Sequence, residues 1–105
     1  MKYFLIIFLL ANFASAADLK TFRLTCKDGV FEPTTIQIPK GEKVQIEVQN
    51  IGTTAEEFES VELNREKVVT AGKTITVFIG PLTKGEYKFF GDFHKDTAQG
   101  KIIAQ

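Results

Sequence analysis

Along most of this chain apolar and polar residues alternate one for one. Phe22, Leu24 and Cys26 share a phase, as do Ile36 with Ile38, and Val44, Ile46 and Val48. Ile75, Val77 and Ile79 repeat the pattern, Tyr87 with Phe89 gives a shorter stretch, and Ile102-Ile103-Ala104 closes the chain. Successive side chains of a strand point to opposite faces, so a period of two marks strands buried on one side. Turn residues punctuate the runs: Lys27-Asp28-Gly29, Pro39-Lys40-Gly41, Asn50-Ile51-Gly52, Ala71-Gly72, Gly80-Pro81 and Lys84-Gly85. Strand runs recurring about every 8–12 residues between such signals predict an antiparallel sandwich or barrel. No segment carries three turns of helical periodicity. The expected fold is an all-β Greek-key β-sandwich or barrel of seven or eight strands.

The start of the chain departs from this pattern. Met1-Lys2 is a short positive beginning, Tyr3 to Phe13 is apolar except for Asn12, and Ala14-Ser15-Ala16 is a small-residue cleavage signal. Residues 1–16 read as a secretory signal peptide and residues 17–105 as one domain. The apolar run is shorter than the roughly 20 residues a spanning helix needs, so the mature chain is expected not to insert into a membrane and to work in the periplasm. Lysines and arginines number 13, as do aspartates and glutamates, and removing the leader takes away Lys2 and no acid. Without a basic surplus the chain is not expected to bind nucleic acid. One cysteine excludes an internal disulfide and any four-cysteine metal site. With so little covalent support, the exported domain has to rest on its hydrophobic core.

Charge is unevenly placed. Five of the nine glutamates fall in Glu56–Glu66. On an extended strand Glu57 and Glu59 share a face, about 7 Å apart, while Phe58 points away. Two such carboxylates with a third group from a neighbouring loop form a cation site; a solvated strand face is the plainer reading. A one-residue slip would present Glu56 in place of Glu57. Further on, Asp92 and the sole histidine, His94, alternate with aromatics in Phe89–His94, where an Asp-x-His pair offers two ligand atoms from one segment. Cys26, in phase with Phe22 and Leu24, reads as a buried small hydrophobe, and Tyr87 as a core residue whose hydroxyl reaches a backbone partner. Ser60 lacks the surroundings of a hydrolase nucleophile.

The order of landmarks resembles that of cupredoxin-like domains: Phe31-Glu32-Pro33, Thr35–Pro39, Lys40-Gly41, Val44-x-Ile46-x-Val48-x-Asn50, Glu57-Phe58-Glu59, Arg65-Glu66, Gly80-Pro81-Leu82, Gly85-x-Tyr87-x-Phe89 and His94-x5-Gly100. The resemblance spans residues 20–104. Glu57-Phe58-Glu59 and Arg65-Glu66 make it closest to the EfeO-type branch, the cupredoxin-like domain of periplasmic iron-uptake proteins and its small stand-alone relatives. Blue-copper members hold the metal with two histidines, a cysteine and usually a methionine. Carried over by spacing, the thiolate falls at Gly91, the methionine at Ala98 and the upstream histidine at Glu56, so only His94 survives and no type-1 copper centre is expected.

What the resemblance implies instead is an oxygen-rich site. In a cupredoxin frame the loops bearing residues 52–57 and 90–98 meet at one end of the sandwich, which would make Glu57, Glu59, Asp92 and His94 neighbours around a metal, with Glu56 and Cys26 as secondary candidates. The cofactor implied is an iron or copper ion, with carboxylates favouring Fe(III) or Cu(II) over Cu(I). The function implied is metal capture and delivery to an iron permease or other periplasmic iron-uptake protein, binding rather than catalysis. Two other classes stay open: a copper-dependent electron-transfer or ferroxidase component, and a metal-free module that docks a basic partner through Glu56–Glu66.

Overall fold

The computed structural model describes residues 18–105; the leader expected over residues 1–16 lies outside them. Among the described residues nine strands form: β1 (Thr21–Lys27), β2 (Val30–Glu32), β3 (Thr35–Ile38), β4 (Val44–Asn50), β5 (Glu56–Ser60), β6 (Arg65–Val69), β7 (Thr74–Ile79), β8 (Gly85–Gly91) and β9 (Gln99–Ala104). They make two sheets, β2-β1-β4-β7 and β3-β9-β8-β5-β6. The expected sandwich is therefore present, as two open sheets and not a closed barrel. The strand count exceeds seven or eight because alternation is silent at two places. β2 has three residues, and β6 shows four exposed positions in five. Nor is the sandwich wholly antiparallel: β1 pairs with β4, and β3 with β9, in parallel. Period-two patterning reports which face a residue takes, not the direction of its neighbour.

The alternating residues do what their phase demands. Leu24, Cys26, Ile36, Ile38, Val44, Ile46, Val48, Val77, Ile79, Phe89 and Ile102 line the interior between the sheets. Phe31 from one sheet meets Phe58 and Phe89 from the other, edge-on at centroid distances of 6.4 and 5.3 Å, while Phe58 and Phe89 stack at 5.1 Å. Burial of each such ring stabilises by about 1.5–3 kcal/mol, so this trio is a principal tie between the sheets. Gly100 is a close approach: a Cβ there would lie 2.3 Å from Phe89 Cζ. Asp28-Gly29 closes the β1–β2 hairpin with φ of 44° and 89°, the left-handed pair a two-residue turn requires. Tyr87 gives its hydroxyl proton to the Thr83 carbonyl at 2.8 Å, the backbone partner expected of it. No helix of the described residues is long and apolar enough to cross a membrane.

Candidate metal centre

β5 lies between β8 and β6, and its five residues alternate strictly: Glu56, Phe58 and Ser60 are buried, Glu57 and Glu59 half-buried on the outer face. The slip that would have presented Glu56 on that face does not occur. In the β5–β8 ladder Phe58 pairs with Gly91 and Glu59 with Phe90. One step further, the same register carries Asp92, at the start of a 3-10 turn spanning Asp92–His94, to the side of Glu57. One carboxylate oxygen from each of Glu57, Glu59 and Asp92 lies within 4.8 Å of the others. A triangle of that edge has its centre about 2.8 Å from each corner, so closure of about half an ångström reaches the 2.0–2.6 Å of metal–oxygen bonds.

The electrostatics of this face are those of an under-neutralised anion cluster. Partial desolvation first, then a hydrogen bond with Glu59 and the charges of Glu66, Asp92 and Glu59, push the Glu57 carboxyl from 4.5 up to about 7. Glu66 stands directly opposite Glu59 on β6, a like-charge pair that sheets ordinarily avoid. Among the described residues Asp92 pairs with Lys95, whose Nζ is 3.3 Å away, and that ammonium also lies 5.9 Å from the centre of the Phe90 ring. Glu57 and Glu59 have no ion-pair partner among the described residues, and Lys67 turns instead to the Thr76 carbonyl at 3.0 Å.

His94, the fourth residue expected here, is not part of this trio. Its Nδ1 lies 2.6 Å from Oε2 of Glu56, which is only 2 % exposed. The other Glu56 oxygen, Oε1, accepts from the backbone N–H of Glu57 at 3.0 Å and of Phe93 at 2.9 Å. The Ala98 N–H donates to the His94 carbonyl and the Gly91 N–H to the Ala98 carbonyl, each at 2.8 Å. Gly29 packs under the imidazole, where a Cβ would be 3.0 Å from Cγ and Cδ2. Glu56, Gly91, His94 and Ala98, the positions that spacing equated with blue-copper ligands, thus do come together. They are already full: a Cβ on Gly91 would meet Glu56 Cδ at 2.5 Å and the Ala98 Cβ at 2.7 Å. The Glu56 carboxylate fills that pocket, Gly91 and Ala98 stand where spacing calls for a thiolate and a thioether, and the residues do not fit a type-1 copper centre.

Cys26, the other secondary candidate, is buried at the end of β1. Burial, and then the charges of Glu56 and Asp28, push its thiol up to about 11, which opposes the thiolate a metal would need. Spacing gave no hint of two further anchors. Asp28 Oδ1 accepts from the backbone N–H of Thr53 at 2.8 Å and its hydroxyl at 3.0 Å, with longer bonds from Thr54. Buried Asn50 donates to the Thr54 and Val69 carbonyls and accepts from the Gly52 N–H. Together they fix the loop that delivers β5. A turn-forming Asp or Asn is visible in sequence, but a partner some 25 residues away is not.

A two-sheet sandwich of this order, with a 3-10 turn between its last two strands and loops converging at one end, is a cupredoxin-like frame. The chain belongs to the cupredoxin-like domain family, whose sequence profile matches residues 2–104. It is 46% identical over 81 residues to an uncharacterized protein of Rickettsia prowazekii (strain Madrid E), a match covering 77% of this chain and 65% of the relative. The chain thus spans less than two thirds of that protein's length. Among solved structures, a purple cupredoxin from Nitrosopumilus maritimus superposes with a TM-score of 0.62 at 16% identity, over 80% of this chain and 99% of that one. Auracyanin A, a blue copper protein of Chloroflexus aurantiacus, gives 0.68 at 12%, over 81% and 98%. The metal-binding domain of the Streptococcus pneumoniae D39 Cu(I)-exporting P-type ATPase gives 0.68 at 16%, over 81% and 84%. At such identities the likeness is one of fold.

Proposed function

We propose that this protein is an exported metal-binding module that captures a hard cation, iron foremost, on Glu57, Glu59 and Asp92 and delivers it to a periplasmic iron-uptake permease. The observation that carries this reading is the convergence of three carboxylate oxygens within 4.8 Å, two of them without a cationic partner among the described residues. The donor set is all oxygen, which suits Fe(II), Fe(III) or Mn(II) better than Cu(I); Cu(II) is the second choice. Carboxylate crowding raises the affinity for the more highly charged ion, so Fe(III) is held more tightly than Fe(II). A half-exposed site with one displaceable lysine suits uptake and release. Residues 1–16 act as the export leader that brings the domain to the periplasm. An electron carrier would need ligands that tune copper, and Gly91 and Ala98 supply none.

The test is thermal unfolding of protein recovered from the periplasm and stripped with chelator, with Fe(II) under anaerobic conditions and with Cu(II). Iron is expected to raise the melting temperature by mass action, and the double variant Glu57→Gln/Asp92→Asn to lose most of that rise. Equal rises in both proteins, or none in either, would overturn the assignment.

A further inference from the structure

The pocket that fails as a copper site has a role of its own. We propose that the buried Glu56 carboxylate is the internal substitute for a metal at this end of the sandwich: it fixes His94 as an Nδ1–H donor and positions Asp92 beside Glu57 and Glu59. The last part rests on the metal-site reading above; the first does not. Glu56 Oε1 takes two N–H groups, one from Glu57 itself and one from Phe93, the neighbour of Asp92. A single oxygen thereby stitches together the two segments that carry the outer carboxylates. Oε2 meets Nδ1 of His94 at 2.6 Å, anchoring the far end of the same turn. A carboxylate only accepts hydrogen bonds, so the proton on this contact sits on Nδ1.

The fit depends on the small residues around it. Gly91 leaves the space that the Glu56 carboxyl occupies, since any Cβ there would be 2.5 Å from Cδ, and Ala98 closes the other side. One anion drawn toward three donors closes the pocket. Every polar side-chain atom buried among the described residues has a partner, so the pocket is complete without an ion.

Replacing Glu56 by glutamine, which has the same shape, gives a signature that simple packing would not. Two backbone N–H groups call for an oxygen at the Oε1 position, so the glutamine amide turns its NH2 toward His94. Nδ1 must then accept, and the imidazole switches to the Nε2–H tautomer. The experiment is 15N-detected NMR of the histidine ring and amide exchange at Glu57 and Phe93, in metal-free wild type, Glu56→Gln and Glu56→Ala. Calorimetric Fe(II) titration of the same proteins is run under anaerobic conditions. The expected results are an Nδ1–H ring in wild type, an Nε2–H ring in Glu56→Gln, and faster exchange of both amides in Glu56→Ala. Fe(II) affinity is expected to fall about 10- to 100-fold in Glu56→Ala and less than tenfold in Glu56→Gln. A protonated Nδ1 retained in Glu56→Gln, or a bare Nδ1 in wild type, overturns the Glu56 assignment even if iron binds. Absence of iron binding by wild type, with the tautomer switch present, sinks the metal reading and the positioning of Asp92 for it, and leaves the internal substitute standing.

Discussion

At the scale of single residues, adjacent glutamates of one strand have opposite fates. Glu56 goes inward and is consumed by three hydrogen bonds; Glu57 goes outward into a cluster of like charge. The Glu57 carboxyl, raised from 4.5 to about 7, holds its proton more tightly in the folded protein than in the unfolded chain. Its contribution to stability is full below pH 4.5 and is lost as pH rises through 7. Asp28 works the other way. Its hydrogen bonds from Thr53, then those from Thr54, hold its carboxyl below 3.8, so it stabilises above that pH and the gain disappears on acidification. The melting temperature of the metal-free protein is expected to decline between pH 5 and 7.5, and the Glu57→Gln variant to flatten that decline. A wild-type profile that rises across this window would contradict the placement of Glu57.

At the scale of elements, what was legible in the sequence follows from burial on one face. β1, β3, β4, β7 and β9 announce themselves by alternation because each puts every second residue between the sheets. β6 hides because it is the edge of its sheet, and its neighbour across the sandwich, β7, is the edge of the other. The polar residues that obscure β6 guard that side. Arg65 Nε donates to the Phe78 carbonyl at 2.8 Å and Lys67 Nζ to the Thr76 carbonyl at 3.0 Å, occupying carbonyls that an open edge would offer to another chain. With Val68 and Phe78 exposed nearby, Arg65→Ala/Lys67→Ala is expected to aggregate at concentrations where wild type stays monodisperse in light scattering. Monodisperse behaviour of the double variant would show that the edge needs no such cover.

At the scale of the whole molecule, the loop end is closed by internal bonds: Glu56 to the 3-10 turn, Asp28 and Asn50 to the β4–β5 loop, and the Thr97 hydroxyl to the Gly29 carbonyl at 2.6 Å. Chelator treatment is therefore expected to leave the β-sheet circular-dichroism signal and cooperative unfolding intact. Metal added to a hundred times its dissociation constant should then increase stability by about 2.7 kcal/mol. Loss of cooperative unfolding on chelation would mean that the ion is structural.

Residue order alone makes the chain legible as all-β, places its main strands and hairpin turns, sets Glu57 and Glu59 on one face, and withholds the ligands of a blue copper centre. These are consequences of side-chain periodicity, local backbone preference and residue count, all of which act within a few positions. Folding in three dimensions sets which pairs run parallel, turns Glu56 and not Glu57 inward, brings Asp92 to the two outer glutamates, and bonds His94 to Glu56. Each of these depends on the register between strands or on contacts across 25 or more positions, where the alternatives differ by a few hydrogen bonds that only the assembled sandwich brings within reach.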